Sequence, residues 1–192
     1  MIDFTQDIQT YLNTECDMLR ALNVSQINEA VNAIVDARAR GAAIYTMGNG
    51  GSAATASHMV CDFAKGASEA VGGRKFLFEC LSDNTPIVTA IANDIGYEDV
   101  FVFQLRGKLK PEDLVIAISG SGNSKNVLKA VEYAKEVGAK VIGVTGYQGG
   151  KLKAMSDYGL HVAIDDMQIA EDIHMMFDHM IMRVLTLHDC GR

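Results

Sequence analysis

Apolar residues recur at helical spacing over the first forty positions of the chain. One run consists of Ile8, Leu12, Leu19 and Leu22, and a second of Ile27, Val31, Ile34 and Val35. Steps of three or four residues bring apolar side chains to one face of a helix. Ser25 stands just before the second run as a candidate N-cap. The pattern therefore predicts two amphipathic helices within residues 1–40.

From Gly41 onward, the pattern changes to short apolar runs that alternate with helical stretches. The predicted strands are 42–47, 76–80, 114–118, 141–144 and 160–164. The predicted helices are 53–65, 86–92, 99–108, 126–137, a short one near Lys151, and 168–187. Such alternation is typical of βα units around a buried parallel sheet.

Length and composition fit one globular domain spanning residues 1–192. The chain is 48% hydrophobic and 21% charged, which lies within the range of folded proteins. Its net charge of -7 argues against nucleic-acid binding, because that interaction depends on lysine and arginine neutralising phosphates. No segment is apolar for long enough to span a bilayer, and no signal-peptide pattern opens the chain. We expect a cytoplasmic protein that binds neither membrane nor nucleic acid.

The four cysteines indicate a reducing compartment. Cys16, Cys61, Cys80 and Cys190 are scattered and form no C-x-x-C pair. This spacing argues against a zinc ribbon and against a disulfide scaffold. We interpret them as incidental thiols.

Two predicted strands end in loops of small residues that lead directly into helices. The loops are Gly48-Asn49-Gly50-Gly51-Ser52 and Ser119-Gly120-Ser121-Gly122-Asn123-Ser124. Ligands of parallel sheets collect beyond the carboxyl ends of strands, where glycine lets the backbone approach an anion and a helix N-terminus offers free N–H groups. Serine hydroxyls add further donors. The loops therefore predict a phosphate site, although tight strand-to-helix turns alone would account for part of the pattern.

Neither loop satisfies a nucleotide motif well. Gly48, Gly50 and Ala53 have the spacing of the dinucleotide fingerprint, but no acidic residue closes a strand about 20 residues later. Ser124 precedes Lys125, whereas a P-loop requires lysine followed by serine or threonine. The sequence thus disfavours NAD binding and ATP hydrolysis.

Titratable residues concentrate on two predicted helices. His58 and Asp62 are four residues apart and share a helical face. The last helix carries a second group, which comprises Glu171, His174, Asp178 and His179. Histidines with carboxylates suit Zn²⁺ or another divalent ion, but the spacing matches no recognised zinc signature. From the residues alone, a metal site and structural histidines remain equally open.

Taken together, these motifs resemble the phosphoheptose isomerases within the sugar-isomerase (SIS) domain family. The resemblance also includes Asn93-Asp94 and Thr145-Gly146, and its order and spacing cover nearly the whole chain. It implies a three-layer α/β sandwich with a five-stranded parallel sheet, in which residues 1–40 serve assembly of a homotetramer. It also implies a set of substrate contacts, namely Asn49, Gly50, Gly51, Ser52, Asn93, Asp94, Ser119, Ser121 and Ser124.

The resemblance implies aldose-ketose isomerisation of a sugar phosphate, such as sedoheptulose 7-phosphate, through an enediol. Asp62, His179 and Glu171 are the expected catalytic residues. His58, Asp62, Glu171 and His179 are the expected ligands of Zn²⁺ or another divalent metal. Asp62 stands where the family carries glutamate, and Glu171 where it carries glutamine. The alternative function is that of a non-catalytic phosphosugar-binding regulator or replication-initiator-associating adaptor.

Overall fold

The computed structural model describes residues 1–188 and contains, within them, one five-stranded parallel sheet. Its strands are β1 (Ala43–Met47), β2 (Leu77–Cys80), β3 (Leu114–Ser119), β4 (Lys140–Thr145) and β5 (Tyr158–His161). Their spatial order is β2-β1-β3-β4-β5, and every neighbouring pair is parallel. The predicted α/β class and all five predicted strands are confirmed, with bounds shifted by at most three residues.

Helices cover both faces of the sheet. They are α1 (Thr5–Ala21), α2 (Val24–Arg40), α3 (Gly51–Val60), α4 (Ser68–Val71), α5 (Thr85–Asp94), α6 (Val102–Leu105), α7 (Lys125–Val137), α8 (Gly150–Met155) and α9 (Met167–Leu187). Alternate strand residues point to opposite faces: Ile116 packs with α2, α3 and α9, whereas Val115 and Ala117 pack with α5 to α8. This arrangement is the predicted three-layer sandwich.

The two N-terminal helices have different environments. Ile27, Ile34 and Ala37 of α2 are buried in the core against the sheet, but no residue of α1 is buried. Of these two helices, only α1 therefore leaves its side chains accessible for contact with another subunit. The cap of α2 also differs from the prediction, because Asn23 rather than Ser25 accepts the capping hydrogen bond, from the backbone N–H of Gln26.

The predicted helix 53–65 changes its winding partway along. After α3, residues Cys61–Ala67 form a π-helix, which leads into α4. Such segments are rare and often occur at functional sites. Asp62 lies in this segment, so the local widening of the helix sets the position of its carboxylate relative to His58.

The predicted helix 99–108 is shorter than expected. A 3₁₀ turn over Tyr97–Asp99 and the short helix α6 replace it. Gln104 donates to the carbonyl of Leu81 as well as to that of Val100. The chain here is thus tied to the end of β2 instead of continuing as one helix.

The free thiols fit the expected absence of a disulfide scaffold. Within residues 1–188, Cys16 and Cys61 are exposed and Cys80 is buried, and all three are unpaired. Cys190 lies outside the described residues. In the same part of the chain, no helix combines the length and apolar character needed to cross a membrane.

The sheet has a topological switch point between β1 and β3. These strands are neighbours, but α3, which follows β1, packs on one face, and α7, which follows β3, packs on the other. The two connections therefore diverge at the carboxyl edge and leave a crevice between them. Ligands of open α/β sheets bind at such a point.

Candidate functional site

A cavity of about 240 Å³ lies at this switch point. It is lined by Asn49, Ser52, Ile118, Ser119, Gly120, Ser121, Ser124, Tyr147, Met167 and Glu171. Most of the predicted substrate-binding residues are thus brought to one place, together with Glu171 from α9.

Backbone packing shapes the serine loop that follows β3. The hydroxyls of Ser119 and Ser124 are 3.0 Å apart, and the hydroxyl of Ser121 accepts from the backbone N–H of Asn123 at 3.2 Å. Gly122 has φ +65°, and a Cβ there would overlap the carbonyl of Gly149. Glycine is therefore required where the loop passes this neighbouring turn.

Two helices begin at the cavity without a hydrogen bond from the side chain of their N-cap residue, although in α7 the Val127 N–H donates to the side chain of Asn126. Neither Gly50, which precedes α3, nor Ser124, which precedes α7, makes a side-chain capping bond. Uncapped helix N-termini attract anions through their free N–H groups and the helix dipole. Among the described residues that line the cavity, none is lysine or arginine. An anion here would be held by backbone and hydroxyl donors.

An amide pair joins the two loops across the crevice. The side chains of Asn49 and Asn126 donate to each other at 3.0 and 2.8 Å, and the hydroxyl of Tyr97 donates to Asn49 at 2.8 Å. Sequence analysis missed Asn126 and Tyr97. No local pattern could have revealed them, because 77 residues separate the two asparagines.

Asn93 and Asp94 are not among the residues that line the cavity. Both are exposed at the end of α5, where the Asn93 amide donates to the Asp94 carboxylate at 2.7 Å. Tyr147 and Met167 line the cavity instead, although the sequence did not single them out. Tyr147 has a positive φ of 49°, which is uncommon for a residue other than glycine and marks a constrained turn.

Glu171 closes the cavity against the first turn of α3. A Cβ at position 51 would overlap the Glu171 carboxylate, so glycine at the helix start permits this close approach. The carboxylate therefore lies at the cavity wall and beside a helix N-terminus, where a negative charge is favoured.

A second cluster of polar side chains lies further along α3 and α9. Nε2 of His58 is 3.1 Å from Nε2 of His179 and 3.6 Å from Oδ1 of Asp62. The expected face-sharing of His58 and Asp62 is thus observed. The ligand atoms of His58, Asp62, Asp178 and His179 all lie within 4.8 Å of one another. Asp178 occupies the place in this cluster that sequence analysis expected for Glu171.

Asp178 forms the buried floor of this cluster, which we call the His/Asp cluster. Its side chain is fully buried, whereas that of His58 is 41% exposed. Burial, and secondarily the charge of Asp62, raises the pKa of Asp178 to about 7. A buried carboxylate with such a perturbed pKa, close to two histidines, is typical of functional sites.

The family profile described as "SIS domain" matches residues 9–146, well over half of the chain. This chain belongs to the SIS domain family. The predicted family is thereby confirmed.

Named relatives of this SIS-domain protein agree with the profile. A Thermoplasma acidophilum protein named "Probable phosphoheptose isomerase" is 38% identical over 176 residues, which cover 91% of this chain and 95% of that protein. The phosphoheptose isomerase of Helicobacter pylori is 37% identical over 162 residues, or 84% of this chain and 83% of its own.

A solved structure supports the fold. The phosphoheptose isomerase of Neisseria gonorrhoeae is 26% identical, with a TM-score of 0.88, and the match covers 97% of this chain and 100% of that one. Together with the named relatives, it favours the predicted isomerase over the predicted regulator or adaptor.

His174 of the SIS-domain protein lies outside both the cavity lining and the His/Asp cluster. Its side chain is buried, in surroundings that include Thr145 and His161. Burial lowers the pKa of His174 to about 4. His174 is therefore neutral in the folded protein at neutral pH and serves the core.

The buried His174 should make stability depend on pH. Between pH 6.5 and 4 the unfolded chain binds a proton that the folded chain excludes, so this contribution is complete above pH 6.5 and is lost as the pH falls toward 4. Relative to His174→Leu, the protein's free energy of unfolding should drop by about 3 kcal/mol across this window. Denaturant unfolding of both proteins at several pH values measures it.

Other titrating groups contribute equally to the free energy of unfolding of both proteins, so their effects cancel in the difference. They include Asp178, whose raised pKa changes stability with pH in the opposite direction. Ile173→Val on the same buried face serves as a matched control, and its stability difference should not change with pH. A constant difference for His174→Leu would contradict the assignment.

Proposed function

We propose that this chain is an aldose-ketose isomerase of a phosphorylated sugar, such as sedoheptulose 7-phosphate. One observation carries the proposal: the serine-lined cavity and the His/Asp cluster are both built on α3 and α9. Ser52 and Glu171 border the cavity, whereas His58 and His179 belong to the cluster. One molecule could thus have its phosphate at one end and its reacting carbons at the other.

Helix geometry supports this division of the site. Six residues separate Ser52 from His58 and eight separate Glu171 from His179, which corresponds to about 9 and 12 Å along the helix axes. An extended seven-carbon sugar phosphate has a comparable length. The phosphate would bind Ser119, Ser121 and Ser124 and the start of α7, while the carbonyl end would reach the His/Asp cluster.

The reaction requires a proton to move between neighbouring carbons. The Asp62 carboxylate would remove the proton beside the carbonyl and return it to the adjacent carbon, and His179 would exchange protons with the two sugar oxygens. Glu171, at the cavity wall, is placed to accept hydrogen bonds from sugar hydroxyls and serves as the reserve base. These roles extend the assignments expected from the family resemblance.

The His/Asp cluster also fits a divalent metal such as Zn²⁺. Two imidazole nitrogens bound to one tetrahedral zinc ion would be ~3.3 Å apart, and those of His58 and His179 are 3.1 Å apart. His58, Asp62 and His179 would hold the ion. Asp62 would then bind through one carboxylate oxygen and keep the other for proton transfer, and His179 would position the ion instead of exchanging protons. When bound, it would supply Lewis-acid polarisation of the sugar carbonyl.

Assembly and location form further parts of the proposal. We infer a homotetramer from the family resemblance. The exposed side chains of Phe4, Ile8 and Leu12 lie side by side at the start of α1, and such apolar faces are usually covered by a partner. Cytoplasmic location fits the unpaired thiols. The chemistry of the site concerns a small metabolite and involves neither membrane nor nucleic acid.

Turnover of sedoheptulose 7-phosphate tests the proposed reaction. Asp62→Asn keeps the side-chain size but removes the base, so kcat should fall by about 10² to 10⁴-fold. Glu69→Gln is a matched control, because Glu69 lies in the same helical stretch and only pairs with exposed Lys65. Full activity of Asp62→Asn, or no turnover of any ketose phosphate by the unaltered protein, would refute the proposal.

Ser121→Ala tests the position of the phosphate. Loss of one hydroxyl donor should weaken binding of the phosphosugar by about 0.5 to 1.5 kcal/mol or more, while the unphosphorylated sugar should be affected far less. Calorimetric titration with both sugars measures the difference. Equal weakening of the two would place the phosphate elsewhere.

Light scattering tests the assembly. The double variant Ile8→Asp with Leu12→Asp should dissociate a tetramer, because it puts charges on the exposed face of α1. Val24→Asp is the control, since Val24 is also exposed but starts α2. Removal of residues 1–40 is unsuitable, because α2 belongs to the core. A monomer at micromolar concentration before any substitution would overturn the proposal.

A further inference from the structure

Asp178 is a buried acid without a hydrogen-bond partner. Its side chain has no solvent exposure, and neither carboxylate oxygen makes a hydrogen bond to any described residue. Burying an unpaired carboxylate is unfavourable unless a proton or another group compensates it. A bound cation would compensate the ionised carboxylate of Asp178, whereas a proton removes its charge.

The surroundings of Asp178 indicate where this cation would be. The buried face of α9 is otherwise mainly apolar, with Ile173, Phe177 and Ile181 near Asp178 in the helix. The side of Asp178 that meets polar atoms faces the His/Asp cluster, where its Oδ2 is 3.9 Å from Nε2 of His58. The carboxylate is thus directed toward the same space as the two histidines.

Asp178 could either bind the metal itself or only orient His58. The nitrogen of His58 that lies nearest to Asp178 distinguishes these two roles. A carboxylate that only orients a metal-binding histidine bonds the ring nitrogen that faces away from the metal. Asp178 instead approaches Nε2 of His58, the nitrogen that also faces His179 and Asp62. The four side chains therefore converge on one point.

We propose that Asp178 binds the divalent ion directly and completes a site of two histidines and two aspartates. The other three ligands are His58, Asp62 and His179. With neutral imidazoles, the two carboxylates balance the charge of a divalent ion, and this mixture of nitrogen and oxygen donors suits Zn²⁺. The inference rests on the metal site proposed above but not on the reaction assigned to it.

The same geometry assigns Glu171 to the sugar rather than to the metal. Glu171 and Asp178 are seven residues apart, so they share a helix face but lie about 10 Å apart along its axis. The Glu171 carboxylate packs against Gly51 at the cavity, whereas Asp178 lies within the cluster. One ion in the cluster would contact Asp178 and leave Glu171 free to bind sugar hydroxyls.

Zinc binding of full-length protein purified without a histidine tag tests this assignment. Zinc content is measured by mass spectrometry, and affinity by competition with a chelating indicator. The unaltered chain should bind one zinc ion, and Asp178→Asn and Asp178→Leu should weaken binding by more than about a hundredfold, beyond the 10 to 100-fold typical of a residue that only orients a ligand. Glu171→Ala should retain the ion.

Melting temperatures of the metal-free proteins show whether a loss of zinc binding results from misfolding of the variant. Because the lone buried carboxylate destabilises the metal-free chain, Asp178→Leu should raise its melting temperature at pH 8 while abolishing the further rise on adding zinc. Asp178→Asn, which is nearly isosteric, provides a second variant if leucine does not fit.

Three results would overturn the inference. They are unchanged zinc affinity in both Asp178 variants, a loss within the 10 to 100-fold range expected of an orienting residue, and the absence of zinc binding by the unaltered chain. Loss of zinc in Glu171→Ala with retention in the Asp178 variants would restore Glu171 as the ligand. Turnover of the sugar phosphate with chelator present is measured separately, so failure of the metal site and failure of the proposed isomerase remain distinguishable.

Discussion

The divergence of two connections at the centre of a parallel sheet is the constraint on which this site depends. β1 and β3 are hydrogen-bonded neighbours, yet the helices that follow them pack on opposite faces. Their N-termini therefore face a common crevice, which neither connection could form alone. The amide pair of Asn49 and Asn126 joins the two loops across it, so the spacing of the two loops is held by direct contact.

This arrangement explains how an acidic protein could bind an anionic substrate. The chain carries a net charge of -7, and the described residues of the cavity lining include no lysine or arginine. Helix N-termini and serine hydroxyls supply local donors that are independent of the overall charge. Affinity for a phosphate would thus come from geometry near the sheet rather than from a long-range field.

The last helix joins the two halves of the site. Glu171 lies at the cavity near the beginning of α9, and Asp178 and His179 lie two turns later at the His/Asp cluster. Because α9 packs against α3 and the π-helical segment, its position sets the distance between the serine-lined cavity and the His/Asp cluster. Opposite α9, the π-helix Cys61–Ala67 carries Asp62. Its wider winding sets where the Asp62 carboxylate lies relative to His58.

Much of the fold could be predicted from local patterns. Apolar periodicity indicated the five strands and most helices, because buried strands and amphipathic helices each impose a period on the residues that meet the core. The glycine and serine loops were recognisable because small residues and short hydroxyl donors cluster within a few positions after two strands. His58 and Asp62 could be paired because a four-residue step fixes two side chains on one helical turn.

Tertiary packing alone decided the remaining features. Helical spacing puts Glu171 and Asp178 on one face of α9, but only the packing of that helix on α3 decides which acid meets the histidines. Likewise, the pairing of Asn49 with Asn126 and the exposure of Asn93 and Asp94 depend on how distant loops meet. The sequence by itself therefore determined the elements and the chemical groups available, since those follow from local periodicity and residue type. The tertiary structure determined which groups converge, since convergence depends on contacts between segments far apart in the chain.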